Sequence, residues 1–426
     1  MSSHPIQPHG QPLDMTKWRN VPTTLMVVGG IGAIIGLLID STQFGYSWLL
    51  AFMFFLSLGL GAYFLVLVHH LFDASWSVPI RRFCEHLACT LPWMVIAFIP
   101  IAILAPKLYP WMTVAEPSAD HALISKYPLF TKPGFYLISA LCFGLWWLFT
   151  TRLRYWSLEQ DRTGAAICTF KMRKYACFGI VAFAITLTLA AIMWMMGLVH
   201  LWFSTMYGVY YFAGSVWMTL ATVYVITMVL DRTRILSSVI HELQYYFIGS
   251  LLLAFTVFYA YIHFAQYFII WNANMPEETY WYVMREKGTW WYVGMIIIFG
   301  HFFIPFLALL RIDAKLTFKW MVPICAWAWL MHYFDLAFNI MPIPYKNGFH
   351  FQTVWLDLCC MALIGGALSK IALKSFLSHP RFPQRDPRMA EAMGQVHPVA
   401  GPISGGAPET LHAPPHGGAK ASGGAK

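Results

Sequence analysis

The chain has 426 residues, 58% hydrophobic, 17% aromatic and 11% charged, with a formal net charge of +9. A soluble domain carries roughly a quarter charged residues, so a water-soluble globule is excluded, as are a disordered chain and a disulfide-stapled module. The positive charge does not point to nucleic acid, because the basic residues lie in short loops between apolar runs, where orientation signals belong.

Residues 1–22 are polar, carry Pro5, Pro8, Pro12, Lys17 and Arg19, and hold no apolar core of a signal peptide. The first apolar run is therefore expected to stay in the mature protein. Ten runs follow, each sufficient for the ~20-residue helix that crosses a bilayer. They cover 24–40, 46–70, 84–105, 134–151, 175–199, 203–230, 242–271, 290–310, 319–341 and 350–374. The expected fold is an all-α integral membrane domain over 23–375. Two parallel four-helix bundles, 46–199 and 203–341, are flanked by spans one and ten. Beyond it, 376–426 is a tail rich in Pro, Gly and Ala, expected to be disordered alone.

Lys and Arg number 22 on the N-terminal side of this topology and 6 on the other, which places both termini in the cytoplasm. Eight cysteines, Cys84, Cys89, Cys142, Cys168, Cys177, Cys325, Cys359 and Cys360, form no C-x-x-C pair. Thiolate ligation of zinc or iron–sulfur clusters needs closer sets, so these read as small apolar residues.

Helix ends repeat at a nearly constant offset. Asp73 and Asp231 close spans two and six; Glu85-His86-Leu87 and His241-Glu242-Leu243 open spans three and seven; Arg154 and Arg311 end spans four and eight. The offset slips only afterwards, because the loop expected at 152–174 is longer than the one at 311–319. Spans two to five and six to nine thus read as a duplication about an axis along the membrane normal. Gly32-x-x-x-Gly36 in span one and Ala362-x-x-x-Gly366 in span ten read as close-packing faces.

Ionisable groups inside a bilayer are costly and need a reason. The first bundle keeps them at its inner ends: His69, His70, Asp73, Glu85 and His86. The second carries them deep. Span seven has Thr256, Tyr259, His263 and Gln266 at i, i+3, i+7, i+10, and span nine has His332, Asp335 and Asn339 at i, i+3, i+7. His301 lies near the middle of span eight, and Gly144 stands at the matching offset in span four. His263, His301, His332 and Asp335 are therefore the expected proton relay, or the acceptor of a hydroquinone proton. Glu85, His86, His241 and Glu242 are candidate proton inlets, a role they share with the plainer one of solvated helix starts. Asp357 and Asp40 are weaker cases. A helical histidine pair for stacked haems, a C-x-x-C-H motif, a P-loop and a dinucleotide fingerprint are all missing from the sequence. No covalent or metal-ligated cofactor is expected in this chain.

Four strings stand in order: FMFFLSL at 52–58, WSVPIRR at 76–82, YWSLEQD at 155–161 and WFSTMYG at 202–208. With ten spans and two bundles, they resemble the NrfD-like membrane subunits of bacterial respiratory complexes. The likeness runs over about 20–375. It is nearest to the smaller of the two large membrane subunits of alternative complex III, a quinol:cytochrome c (acceptor) oxidoreductase. The resemblance implies a multi-pass protein of the bacterial inner membrane. Its partners would be a larger NrfD-like sister subunit, an iron–sulfur protein and a multihaem cytochrome c, which carry the electrons. It further implies contact with lipids and with quinol or quinone of the menaquinone type, the sister subunit being the better quinol site. Two other classes fit the duplicated bundles: a proton-coupled secondary transporter and an inert anchor for peripheral redox subunits. Pro92 and Pro100 in span three have no counterpart in span seven, which argues against the transporter.

Overall fold

The structure is a computed structural model that describes residues 19–114, 120–233, 236 and 239–394. Among the described residues ten helices are long and apolar enough to cross a membrane, and there is no strand. They are α1 Val21–Ile39, α2 Ser41–Leu71, α3 Ser75–Leu108, α4 Lys132–Thr163, α5 Ala166–Leu198, α6 Tyr207–Arg232, α7 Glu242–Ala273, α8 Trp290–Leu310, α9 Phe318–Ile340 and α10 Phe351–Leu377. The expected fold class holds: an all-α, multi-pass membrane protein.

Local chemistry sets several helix ends. Asp40 caps α2, its carboxylate accepting from the backbone N–H of Thr42 at 2.8 Å and of Gln43 at 3.1 Å. Thr131 caps α4 by accepting from Gly134 N at 3.0 Å. Helix α3 is broken by a short 3₁₀ turn, Leu91–Trp93, that contains Pro92.

Helices α2 and α6 are the most enclosed, with 72% and 83% of their membrane windows buried, and they pack on each other at the centre. Helix α2 packs on α3 and α5, and α4 closes that group against α3 and α5; α6 packs on α7 and α9, and α8 closes the second group against α7 and α9. Helix α1 lies against α10, which in turn lies against α2. The α1–α10 contact is backbone-close: a Cβ on Gly29 would sit 2.6 Å from Cys359 O, and one on Gly366 2.7 Å from Pro22 O.

Two expectations need correction. The polar composition of 152–174 predicts a loop, but α4 runs on to Thr163 and α5 begins at Ala166, joined by Gly164 at φ +70°. Its polar residues form a helical face, with Ser157 and Gln160 buried against the bundle, so the helix continues past the apolar stretch. The composition of the tail predicts disorder, yet residues up to Gly394 pack on the basic end of the molecule. Gln384 N donates to Asp161 Oδ1 at 2.9 Å, Gln244 Nε2 donates to Ala392 O at 3.0 Å, and Met389 and Ala392 are buried. Pro5, Pro8, Pro12 and Lys17, Arg234, and the tail from residue 395 lie outside the described residues.

This strap closes a buried ionic cluster. Arg81 Nε pairs with Glu85 Oε1 at 3.1 Å, Arg82 Nη1 with Glu85 Oε2 at 2.9 Å, and Ser157 donates to Glu85 Oε1 at 2.6 Å. Arg82 also pairs with Asp161, and Arg81 with Asp386 of the strap. Arg388 holds Asp386 Oδ2 and Asp73 Oδ1, each at 2.9 Å.

Candidate functional site

The second bundle is polar inside where the first is aromatic. In the first, Phe52, Phe98, Phe143 and Trp194 meet ring to ring, with Phe52 and Trp194 centroids 5.5 Å apart. In the second, four helices bring hydroxyls, imidazoles and one carboxylate to a common centre.

Asp335 of α9 is the hub. It is 2% exposed, and its Oδ1 accepts from Tyr259 OH of α7 at 2.7 Å and also from Tyr210 OH of α6. Two hydroxyl donors on one oxygen suit a carboxylate. Asn339, one turn on, donates to Tyr210 OH at 2.9 Å and accepts from Tyr207 OH at 3.0 Å. On α7, Tyr259 OH also lies 3.3 Å from His263 Nδ1, the long end of hydrogen-bond range. His263, Tyr259 and Asp335 therefore form one continuous line.

His332 reaches the same hub by another side. Ser57 Oγ of α2 donates to Phe54 O at 2.7 Å, so the 2.8 Å bond between Ser57 and His332 Nε2 is donated by the imidazole. This tautomer leaves Nδ1 as an acceptor with no hydrogen-bond partner among the described residues. Gly214 of α6 faces that gap. A Cβ there would sit 3.4 Å from His332 Nδ1 and 3.9 Å from Asp335 Oδ2. The two groups thus approach one point that only the absence of a side chain leaves open.

His301 stands beside the line rather than in it. A π-helical turn, Ile297–Phe303, presents it to the bundle interior. Its ring stacks between Tyr259 and Trp217, at 3.7 Å and 3.9 Å between centroids. It is fully buried, and neither ring nitrogen has a hydrogen-bond partner among the described residues. Trp217 Nε1 is itself spent on Thr256 at 2.8 Å. Gln266, the last of the span-seven stripe, accepts from Ser204 at 2.9 Å and donates to Tyr282 at 3.0 Å.

A cleft of about 710 Å³ opens between α7 and α8, and Tyr259, His263, Tyr282, Arg285 and Phe302 line it. His263 is partly exposed there. Arg285, in the short helix Pro276–Arg285, spends its guanidinium on the carbonyls of Trp281 and Phe338 at 2.9 Å and of Asn339 at 2.8 Å. It thereby holds the end of α9, and with it Asp335, in place.

The four inlet candidates fall in two different settings. Glu85 and His86 are buried, at 2% and 3% exposure, so they are not solvated helix starts. Glu85 belongs to the ionic cluster, and His86 Nδ1 accepts from Arg154 at 3.0 Å. His241 and Glu242 are exposed at the start of α7, where Gln244 Oε1 accepts from His241 N at 2.8 Å. Asp357 accepts from Tyr333 OH at 2.8 Å.

Residue-type reasoning missed Tyr207, Tyr210, Gly214, Trp217 and Ser57. Four of these recur on α6 at i, i+3, i+7, i+10, the spacing of the α7 stripe, but an aromatic helix disguises them as core. No family model matches the sequence, and no curated protein matches it.

Gly214→Val is expected to overfill the gap and cost about 1–3 kcal/mol, with Gly214→Ala costing less. Thermal unfolding in detergent measures both; equal melting of all three proteins would show that the gap is loose.

Proposed function

We propose that the chain is the proton-handling membrane component of a quinol-oxidising respiratory complex of the NrfD-like kind, in the bacterial inner membrane with both termini cytoplasmic. A larger sister subunit, an iron–sulfur protein and a multihaem cytochrome c carry the electrons. The observation that supports this reading best is the hydrogen-bonded line His263–Tyr259–Asp335. It starts at a membrane-facing cleft and ends at a buried carboxylate, with His332 and Ser57 beyond it.

Each group in the line can both accept and release a proton or pass one through its hydroxyl. His263 takes a proton at the cleft, and Tyr259 hands it on through its O–H to Asp335 Oδ1. Asp335 and His332 approach across Gly214, and Ser57 is bonded to the far nitrogen of His332. His301, stacked on Tyr259, fixes that ring and offers its two nitrogens beside it. The cleft walls are mostly apolar, and His263, Glu286, the engaged Arg285 and the tyrosines, Tyr259 and Tyr282 among them, supply the polar groups. That lining fits the aromatic head of a hydroquinone of the menaquinone type, with His263 as proton acceptor. The two electrons of the hydroquinone leave to the partner subunits.

The test is Tyr259→Phe in the assembled complex. It keeps the ring stack on His301 but removes the hydroxyl that links His263 to Asp335. Turnover with quinol, or protons moved per electron, should fall at least about tenfold while assembly is unchanged. Full turnover with full coupling would overturn the relay. Solute transport by the chain alone in proteoliposomes would favour the secondary transporter.

A further inference from the structure

A second cleft, also about 710 Å³, lies on the basic side of the molecule between α3, α6, α9 and α10. From its deep end at Thr222 and Gly365 to its basic end at Leu230 and Phe376, it runs eight residue steps along α6 and eleven along α10. At a rise of ~1.5 Å per residue this is about 12–16 Å, the depth of one leaflet of a ~30 Å hydrocarbon core. The rim is open to the side, with Trp329 40% and Val229 46% exposed.

The cleft has a polar head. His86 lines it at the basic end. Because Arg154 can only donate, its bond to His86 Nδ1 at 3.0 Å places the imidazole hydrogen on Nε2. Nε2 is buried and has no partner among the described residues. It is a donor without an acceptor, which buried polar groups seldom are. Arg154 Nη2 also donates to Ser375 Oγ at 2.9 Å, so the donor is held by α4 and α10 together.

Two cations stand at the basic ends of the helices that wall the cleft. Arg232 ends α6, its guanidinium over the Phe318 ring at 3.5 Å, and Lys319 begins α9, one turn before Val322 of the lining. Among the described residues neither meets a carboxylate in an ion pair. The nearby acids are engaged elsewhere: Asp231 accepts from Tyr245 at 2.8 Å, and Asp313 pairs with Arg311 at 3.3 Å. Juxtamembrane cations of this kind attract anionic headgroups, at about 1 kcal/mol each.

We infer that this cleft is a specific site for an anionic diacyl phospholipid of the basic-side leaflet. One acyl chain fills the groove up to Trp329. The glycerol ester or phosphate oxygen accepts from His86 Nε2, and the headgroup lies between Arg232 and Lys319. A quinone fits this site less well, because a neutral head gives Arg232 and Lys319 no counter-charge.

The full-length chain, purified in mild detergent, is analysed by native mass spectrometry and by thermal unfolding with added phosphatidylglycerol or phosphatidylcholine. The wild type should keep one phosphatidylglycerol per chain and melt at higher temperature with it than with phosphatidylcholine. Ala372→Phe, which fills the groove, should lose the bound lipid. Arg232→Gln/Lys319→Gln should keep a lipid but lose about tenfold of the preference for phosphatidylglycerol. The double variant leaves the groove itself untouched, so it remains informative if Ala372→Phe does not fold. Wild-type protein that holds no lipid, shows no preference between the two, or carries one quinone per chain instead would overturn the site. So would unchanged lipid retention by a folded Ala372→Phe.

Discussion

Asp335→Asn is expected to insert, fold and assemble like the parent and to lose proton transfer, with coupled turnover falling about 10²-fold. The amide keeps an oxygen that can accept from both Tyr210 and Tyr259, so the hydrogen-bonded frame of the hub survives. It cannot take up and release a proton. Asp335→Leu makes the contrast. It strands the two tyrosine hydroxyls in a buried site, which costs about 1–3 kcal/mol for each, and is expected to impair folding as well as function. Steady-state quinol oxidation with a proton-sensitive dye, beside a thermal melt, separates the two. If Asp335→Asn retained full coupled turnover, Asp335 would be a packing residue.

Arg81→Met is expected to be the most destabilising single change on the basic side. Its guanidinium has 0% exposure and engages Glu85 and Asp386 together. Removing one partner of a buried pair leaves the other charged and unpaired, at about 3–5 kcal/mol. The loss is read by thermal unfolding as reactivity of the buried thiol of Cys84, 3% exposed in the folded state. The acid response has a definite sign. Burial pushes the Asp386 carboxyl up, but Arg81 and Arg388 outweigh it and hold it well below the usual carboxylate range. Its stabilisation is therefore complete above the ordinary value near 3.8 and drains only as pH falls through the lowered one. The 380–394 strap should stay seated between about pH 5 and 8, and Arg81→Met should move its release by acid upward. Hydrogen exchange of the strap follows both effects; a strap that opens equally in both proteins would show that Met389 and Ala392, not the ion pair, hold it.

The membrane architecture was legible because hydrocarbon thickness and apolar run length are the same physical quantity. All ten spans appear, and the glycine faces of α1 and α10 meet as their spacing implied. Helix lengths were less legible: α4 continues to Thr163 because its polar face finds Arg82 and Glu85, partners distant in sequence. Isolated ionisable residues were visible one by one, so His263, His332 and Asp335 could be named from periodicity and depth. Their connection was not. It depends on Tyr210 and Gly214, which on an aromatic helix look like any other core positions. His301 shows the converse: its mid-span position marked it, yet the π-helical turn and two stacking rings place it next to the line. Likewise Glu85 and His86 sit at a helix start in sequence, yet Glu85 is buried against Arg81 and Arg82, and His86 against Arg154 and Ser375.

The most direct measurement is redox-induced infrared difference spectroscopy on the assembled complex, read in the C=O region of protonated carboxyl groups. A relay through Asp335 predicts a carboxyl band that rises or falls as quinol is oxidised. The band should vanish in Asp335→Asn and persist in Asp357→Asn, which removes a second buried carboxyl, bonded to Tyr333. A wild type with no carboxyl band on turnover, or a band unchanged in Asp335→Asn, would contradict the relay.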